Sequence, residues 1–270
     1  MSAGEPTAAL AIELRGVAKA FLGKPVLRGV DLAIGAGQTT VILGGSGSGK
    51  SVCMKHMIGL LRADAGEVRV LGRDVTRLSE RAWTAVRRDF GMVFQSAALF
   101  DSLSVYENVA YPIREHEHWQ EPRVAERVAW CLNAVGLGGV EKLLPAELSG
   151  GMRKRVGVAR AIALAPKIIL YDEPTTGLDP ANSRRIGELI QRLQRELGAT
   201  SVVVTHDLEL AFAIADRVAL LKSGRIVLEG PADELRAGDH PALREFIEGT
   251  EPLPPGIVGG HGASNPKEGT

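Results

Sequence analysis

Short β-branched runs alternate with helical patterns along this chain, and that alternation predicts an α/β fold around a parallel sheet. The runs at 39–43, 168–171 and 201–205 are each followed by a helical stretch, at 51–61, 180–197 and 208–215. Thr39 to Leu43 and Ile168 to Tyr171 keep apolar residues at successive positions, the pattern of strands covered by helices on both faces. These two strands are expected at the centre of the sheet.

Two regions depart from the scheme. Segments 12–20, 26–34 and 67–71 look half-exposed and are separated by turns, so they predict a smaller antiparallel sheet. From about 96 to 164 the pattern is mostly helical, with Pro112, Pro122 and Pro145 marking breaks. This predicts a helical subdomain inserted into the α/β core. Residues 217–222 and 225–229 flank Ser223-Gly224 as a hairpin. One domain is therefore expected over 10–248. The stretch 249–270, rich in Gly, Pro and Ser, reads as a flexible tail.

Composition narrows the function. Of the 270 residues, 45% are hydrophobic and 24% charged, as in ordinary soluble domains. Lys plus Arg and Asp plus Glu number 32 each, so no global field draws the chain to nucleic acid or lipid. The cysteines, Cys53 and Cys131, fall in helical stretches and read as buried thiols of a reducing compartment. The N-terminus lacks the pattern of a signal peptide, and no run reaches the ~18 apolar residues of a membrane span.

The chemistry concentrates in a few motifs. Gly44, Gly45, Ser46, Gly47, Ser48, Gly49, Lys50 and Ser51 follow a strand and open a helix, matching G-x-x-x-x-G-K-[ST] in the context that pattern requires. Glycines let successive backbone N–H groups turn inward toward phosphates, and the helix adds its positive end. Lys50 is placed to reach the β- and γ-phosphates, and Ser51 to give Mg²⁺ a hydroxyl. Asp172 and Glu173 close the 168–171 strand at the carboxyl edge where α/β proteins bind ligands. Asp172 suits Mg²⁺, and Glu173 suits polarising the attacking water.

Leu148-Ser149-Gly150-Gly151-Met152, lying between these motifs, resembles the signature of the ABC ATPase superfamily. The resemblance spans roughly 10–230. It implies a P-loop NTPase fold with a RecA-like parallel-sheet core, a small antiparallel β subdomain and an inserted α-helical subdomain. It also implies ATP and Mg²⁺ at the site. Ser149, Gly150 and Gly151 would face the ATP of a second copy, so that two chains close around two nucleotides. Phe21 matches the aromatic that stacks on adenine, though core packing suits it equally. Gln95 resembles the switch residue that contacts Mg²⁺ or water. Asp179, in Gly177-Leu178-Asp179, would communicate across the dimer, and His206 would hold Glu173 and the water in line.

Two stretches, 94–110 and 148–157, resemble the ATPases of MCE-type lipid transporters, with Met152 in place of the usual glutamine. In that group the ATPase sits on the cytoplasmic face of the inner membrane with a permease and an MCE protein and moves phospholipids. Leu99, Phe100, Val105 and Tyr106 would press on the permease or pack internally. Val52, where relatives place a threonine, affects packing behind the loop only. A cassette serving another small solute would share all of this chemistry. An ABC ATPase acting on ribosomes or DNA would show tandem cassettes, coiled-coil insertions or a basic face, so no nucleic-acid partner is expected. His116 and His118 in a charged run, and the Arg153-Lys154-Arg155 triplet, read as solvated faces. His56, His240 and His261 have no evident partners.

Overall fold

The computed structural model describes residues 9–249. The 249–270 tail expected from composition lies, apart from Gly249, outside the described residues, as does His261. The chain opens with β1 (Leu10–Phe21) and β2 (Lys24–Gly35), followed by β3 (Thr39–Leu43) and α1 (Lys50–Met57). Next come β4 (Ala65–Val70), β5 (Arg73–Asp74), α2 (Glu80–Arg87) and β6 (Phe90–Val93). Three α-helices, α3 (Val105–His116), α4 (Glu121–Ala134) and α5 (Gly150–Ala161), and one short 3-10 turn at Pro145–Glu147 intervene before the sheet resumes. The remainder runs β7 (Ile168–Asp172), α6 (Pro180–Leu197), β8 (Thr200–Thr205), α7 (Leu208–Ile214), β9 (Arg217–Lys222), β10 (Arg225–Pro231), α8 (Ala232–Ala237) and α9 (Pro241–Glu248).

The strands form two sheets. The main sheet has the order β10-β9-β3-β8-β7-β6, parallel from β9 to β6, with antiparallel β10 at one edge. The smaller sheet, β2-β1-β4-β5, is antiparallel throughout. Both sheets match what the sequence pattern predicts, and the 217–231 hairpin turns at Ser223-Gly224.

Side chains of the central strands alternate between two cores. Val41, Leu43, Ile169, Tyr171 and Val203 face α3 to α7, whereas Ile42, Leu170, Val202 and Val204 face α1 and the small sheet. That period of two explains why these strands are apolar at every position: each face of the pleat is covered. The chain expected to be helical to 61 stops at Met57, because Gly59 is left-handed (φ 69°) and a Cβ there would lie 2.2 Å from Trp83. Cys53 and Cys131 are buried, and burial pushes their thiols up to about 12 and about 11.

Candidate functional site

The loop 44–51 joins β3 to α1, so the helix start lies at the carboxyl edge of the sheet beside the ends of β7 and β8. Gly49 caps α1 at φ 107°, a left-handed conformation open to glycine, and it packs on Val26 and Leu27 of β2. At Gly44 a Cβ would lie 2.4 Å from the Leu221 carbonyl and 2.5 Å from Ser48 Oγ. Larger residues at these two positions would displace the loop.

Lys50 is buried, and its ammonium donates to the carbonyls of Gly44 (2.8 Å) and Gly45 (3.0 Å). It also pairs with Glu173 Oε1 at 3.4 Å. Glu173 follows β7 in a left-handed conformation, φ 47°, and its backbone N–H bonds to the Val204 carbonyl of β8. Its other carboxylate oxygen is 2.9 Å from His206 Nδ1 and 3.4 Å from the hydroxyls of Thr205 and Thr176. His206 itself is exposed just beyond β8. Ser51 donates to Asp172 Oδ1 at 3.0 Å. Burial raises the Asp172 carboxyl above its ordinary range, opposed by the Ser51 hydroxyl.

The residues fit a nucleotide phosphate chain with Mg²⁺. Ser48 Oγ is buried without a partner inside the loop, the cradle excludes a Cβ at Gly44, and Ser51 with Asp172 supplies the oxygen donors Mg²⁺ prefers. Gln95 lies two residues beyond β6 and is exposed, while its carbonyl accepts from Lys154.

Other predicted site residues lie apart from this cluster. Phe21, 41% exposed, sits at the end of β1 with the Lys19 ammonium 5.6 Å from its ring centre. Ser149 caps α5 by accepting from the Met152 N–H at 3.2 Å, and Gly150 and Gly151 form the first turn of that helix. A Cβ on Gly151 would meet the Asn182 side chain at 3.5 Å, and one on Gly150 the Arg153 guanidinium at 4.0 Å. Asp179 caps α6, accepting from Asn182 N (2.9 Å) and Nδ2 (2.6 Å), bonds that hold its carboxyl below the usual range.

One expectation is overturned. Lys154 is not part of a solvated face: it is 8% exposed and reaches the carbonyls of Gln95 and Glu173. Charge alone hid it; its spacing from the apolar residues of α5 was the available signal. Of the residues open to either permease contact or internal packing, Val105 is fully buried in the core, and Tyr106 is half-buried against it with its hydroxyl donating to Glu121 at 2.6 Å. Phe100 remains exposed and contacts Tyr111, ring centres 4.9 Å apart. Val52 packs against the core beneath the loop, and its carbonyl accepts from the buried His56 Nδ1 at 2.7 Å. His116 and His118 are exposed, and His240 opens α9.

A family model described as ABC transporter matches residues 27–176, more than half the chain. The chain belongs to the ABC transporter family. Its activity is the hydrolysis of ATP with Mg²⁺ as partner ion. This ABC ATPase is 41% identical over 248 residues to a probable ribonucleotide transport ATP-binding protein, mkl, of Mycobacterium leprae, covering 92% of this chain and 72% of that one. It is 42% identical over 220 residues to the intermembrane phospholipid transport system ATP-binding protein MlaF of Haemophilus influenzae, covering 82% and 83%. Among solved structures, a dimeric ATP-binding cassette in a post-hydrolysis state with ADP and Pi superimposes with a TM-score of 0.76 at 34% identity, covering 82% of this chain and 98% of that one. Among the described residues, no helix of this ABC ATPase is long and apolar enough to cross a membrane.

Proposed function

We propose that this chain drives a phospholipid transporter as a peripheral subunit on the cytoplasmic face of the inner membrane, acting as a homodimer with a permease and an MCE lipid-binding protein. The observation that carries the hydrolytic part is the convergence on Glu173 of Lys50 and His206, beside the Ser51–Asp172 pair. In this reading Mg²⁺, when bound, neutralises charge on the phosphates, and Ser51, Asp172 and Gln95 hold it. Lys50 leaves the loop carbonyls for phosphate oxygens. Glu173 accepts the proton of the attacking water, and His206 fixes the carboxylate in line through its 2.9 Å contact. Ser149, Gly150 and Gly151 serve the nucleotide of the second copy through the backbone N–H groups and positive end of the helix they open. The cassette occupies 10–248, with the helical subdomain at 96–164.

Similarity to MlaF supports the lipid cargo, together with the 94–110 and 148–157 stretches. The mkl relative, named for ribonucleotide transport, favours a second reading in which the cargo is another small solute. The permease is assigned to a groove of about 330 Å³ lined by Phe94, Phe100, Tyr111 and Arg160. Purification from membranes, with mass spectrometry of co-eluting proteins and lipids, tests the cargo. A permease with an MCE protein and bound phospholipid supports the assignment; a solute permease without an MCE protein overturns it. Glu173→Gln is expected to abolish turnover while still permitting ATP-dependent dimerisation, and unchanged turnover would refute Glu173 as the base.

A further inference from the structure

Lys154 stands out among the charged groups near the site because its ammonium joins carbonyls on two separate segments, the loop after β6 and the end of β7. Its ammonium donates to Gln95 O and, at 3.4 Å, to Glu173 O. Burial lowers its pKa, while the Glu173 and Asp172 carboxylates act in the opposite sense. A buried ammonium is costlier than an apolar side chain of the same length. Space-filling alone therefore gives no reason for lysine at this position.

The same ridge of α5 grips the Gln95 loop at two more points. A Cβ on Gly157 would lie 3.3 Å from Ala97 Cβ, so helix and loop are in close contact there. Arg160 donates to the carbonyls of Ala97 (2.8 Å) and Ala98 (2.7 Å). Positions 154, 157 and 160 are three residues apart, one inclined row on the helix surface. Ala97 (φ 62°) and Ala98 (φ 47°) are both left-handed, a conformation non-glycine residues keep where their surroundings enforce it. The loop is thus bound to α5 as one body. Of the three grips, Lys154 is the one that also crosses to the end of β7, where Glu173 is left-handed too.

We propose that Lys154 is a positioning residue that ties the backbone of Glu173 to the signature helix, so that the carboxylate is set for hydrolysis only when α5 and the Gln95 loop are seated together. The inference rests on the reading of Glu173 as the base. It makes Lys154 a relay between the helical subdomain, which a second copy and a permease would move, and the chemistry at the sheet edge. Lys154 touches neither nucleotide nor metal in this account.

The test uses the full chain carrying Lys154→Met, which keeps the length of the side chain and removes its donors. Turnover is expected to fall roughly 30-fold with the KM for ATP within about threefold of the parent, because positioning acts on the chemical step rather than on binding. Lys154→Arg, which keeps the donors, should recover most of kcat. In the Glu173→Gln background, Lys154→Met should still dimerise on ATP addition. A kcat within about twofold of the parent, a KM that rises in step with the fall in kcat/KM, or loss of ATP-driven dimerisation would each overturn the proposal. If Lys154→Met does not fold, Lys154→Gln is read by the same criteria. Failure of the base assignment is distinguishable, since it shows as turnover surviving in Glu173→Gln itself.

Discussion

Glu173 owes its position to its backbone as much as to its side chain. The chain leaves β7 with Asp172 still in register with Val204, then turns through a left-handed residue that aims the next carboxylate away from the first. Adjacent carboxylates thus separate into two environments: Asp172 against Ser51, and Glu173 against Lys50 and His206. Ser51→Ala tests that division. Loss of one part-buried hydrogen bond should cost about 1 kcal/mol in urea unfolding, whereas Mg²⁺-dependent ATP turnover should fall at least roughly 100-fold, because a metal donor is removed along with it. Comparable losses in both measurements would argue that Ser51 is structural.

At the scale of elements, α3 is set by its start. Ser104 and Glu107 form a reciprocal capping box, each side chain bonding the other's backbone N–H. One turn on, fully buried Asn108 accepts from Phe100 N and donates to the carbonyls of Phe100, Leu103 and Ser104. This one side chain therefore shapes the loop that presents Phe100. Asn108→Ala strands several backbone groups and is expected to cost about 2 kcal/mol, read as a lower urea midpoint with an unchanged slope. A loss under about 0.5 kcal/mol would show that the loop holds itself.

Across the whole molecule, the helices between β6 and β7 pack on the main sheet through one continuous core, while their outer edge leaves Phe94, Phe100 and Tyr111 between 37% and 45% exposed. An exposed aromatic cluster beside a groove marks a partner surface more often than a packing defect. Replacing Phe100 and Tyr111 together by Glu should leave the unfolding free energy within about 0.5 kcal/mol of the parent. It should also remove co-purification with the permease. Retained co-purification would move the docking surface elsewhere.

The sequence by itself determined the parts whose chemistry is local. A glycine-rich turn between a buried strand and a helix is written in consecutive residues, and so are the strand ending in Asp172-Glu173 and the serine-glycine start at 149–151. Their order along the chain was enough to identify the family and the main strands. Tertiary structure decided which distant residues meet. That His206 lies on the Glu173 carboxylate depends on β7 and β8 being neighbours in parallel register. That Lys154 faces inward, Val105 is core and Tyr111 joins Phe100 depends on how α3 and α5 rotate against the sheet. Helix periodicity assigns a residue to a face, but which face is covered, and by what, is fixed by packing between segments far apart in the chain.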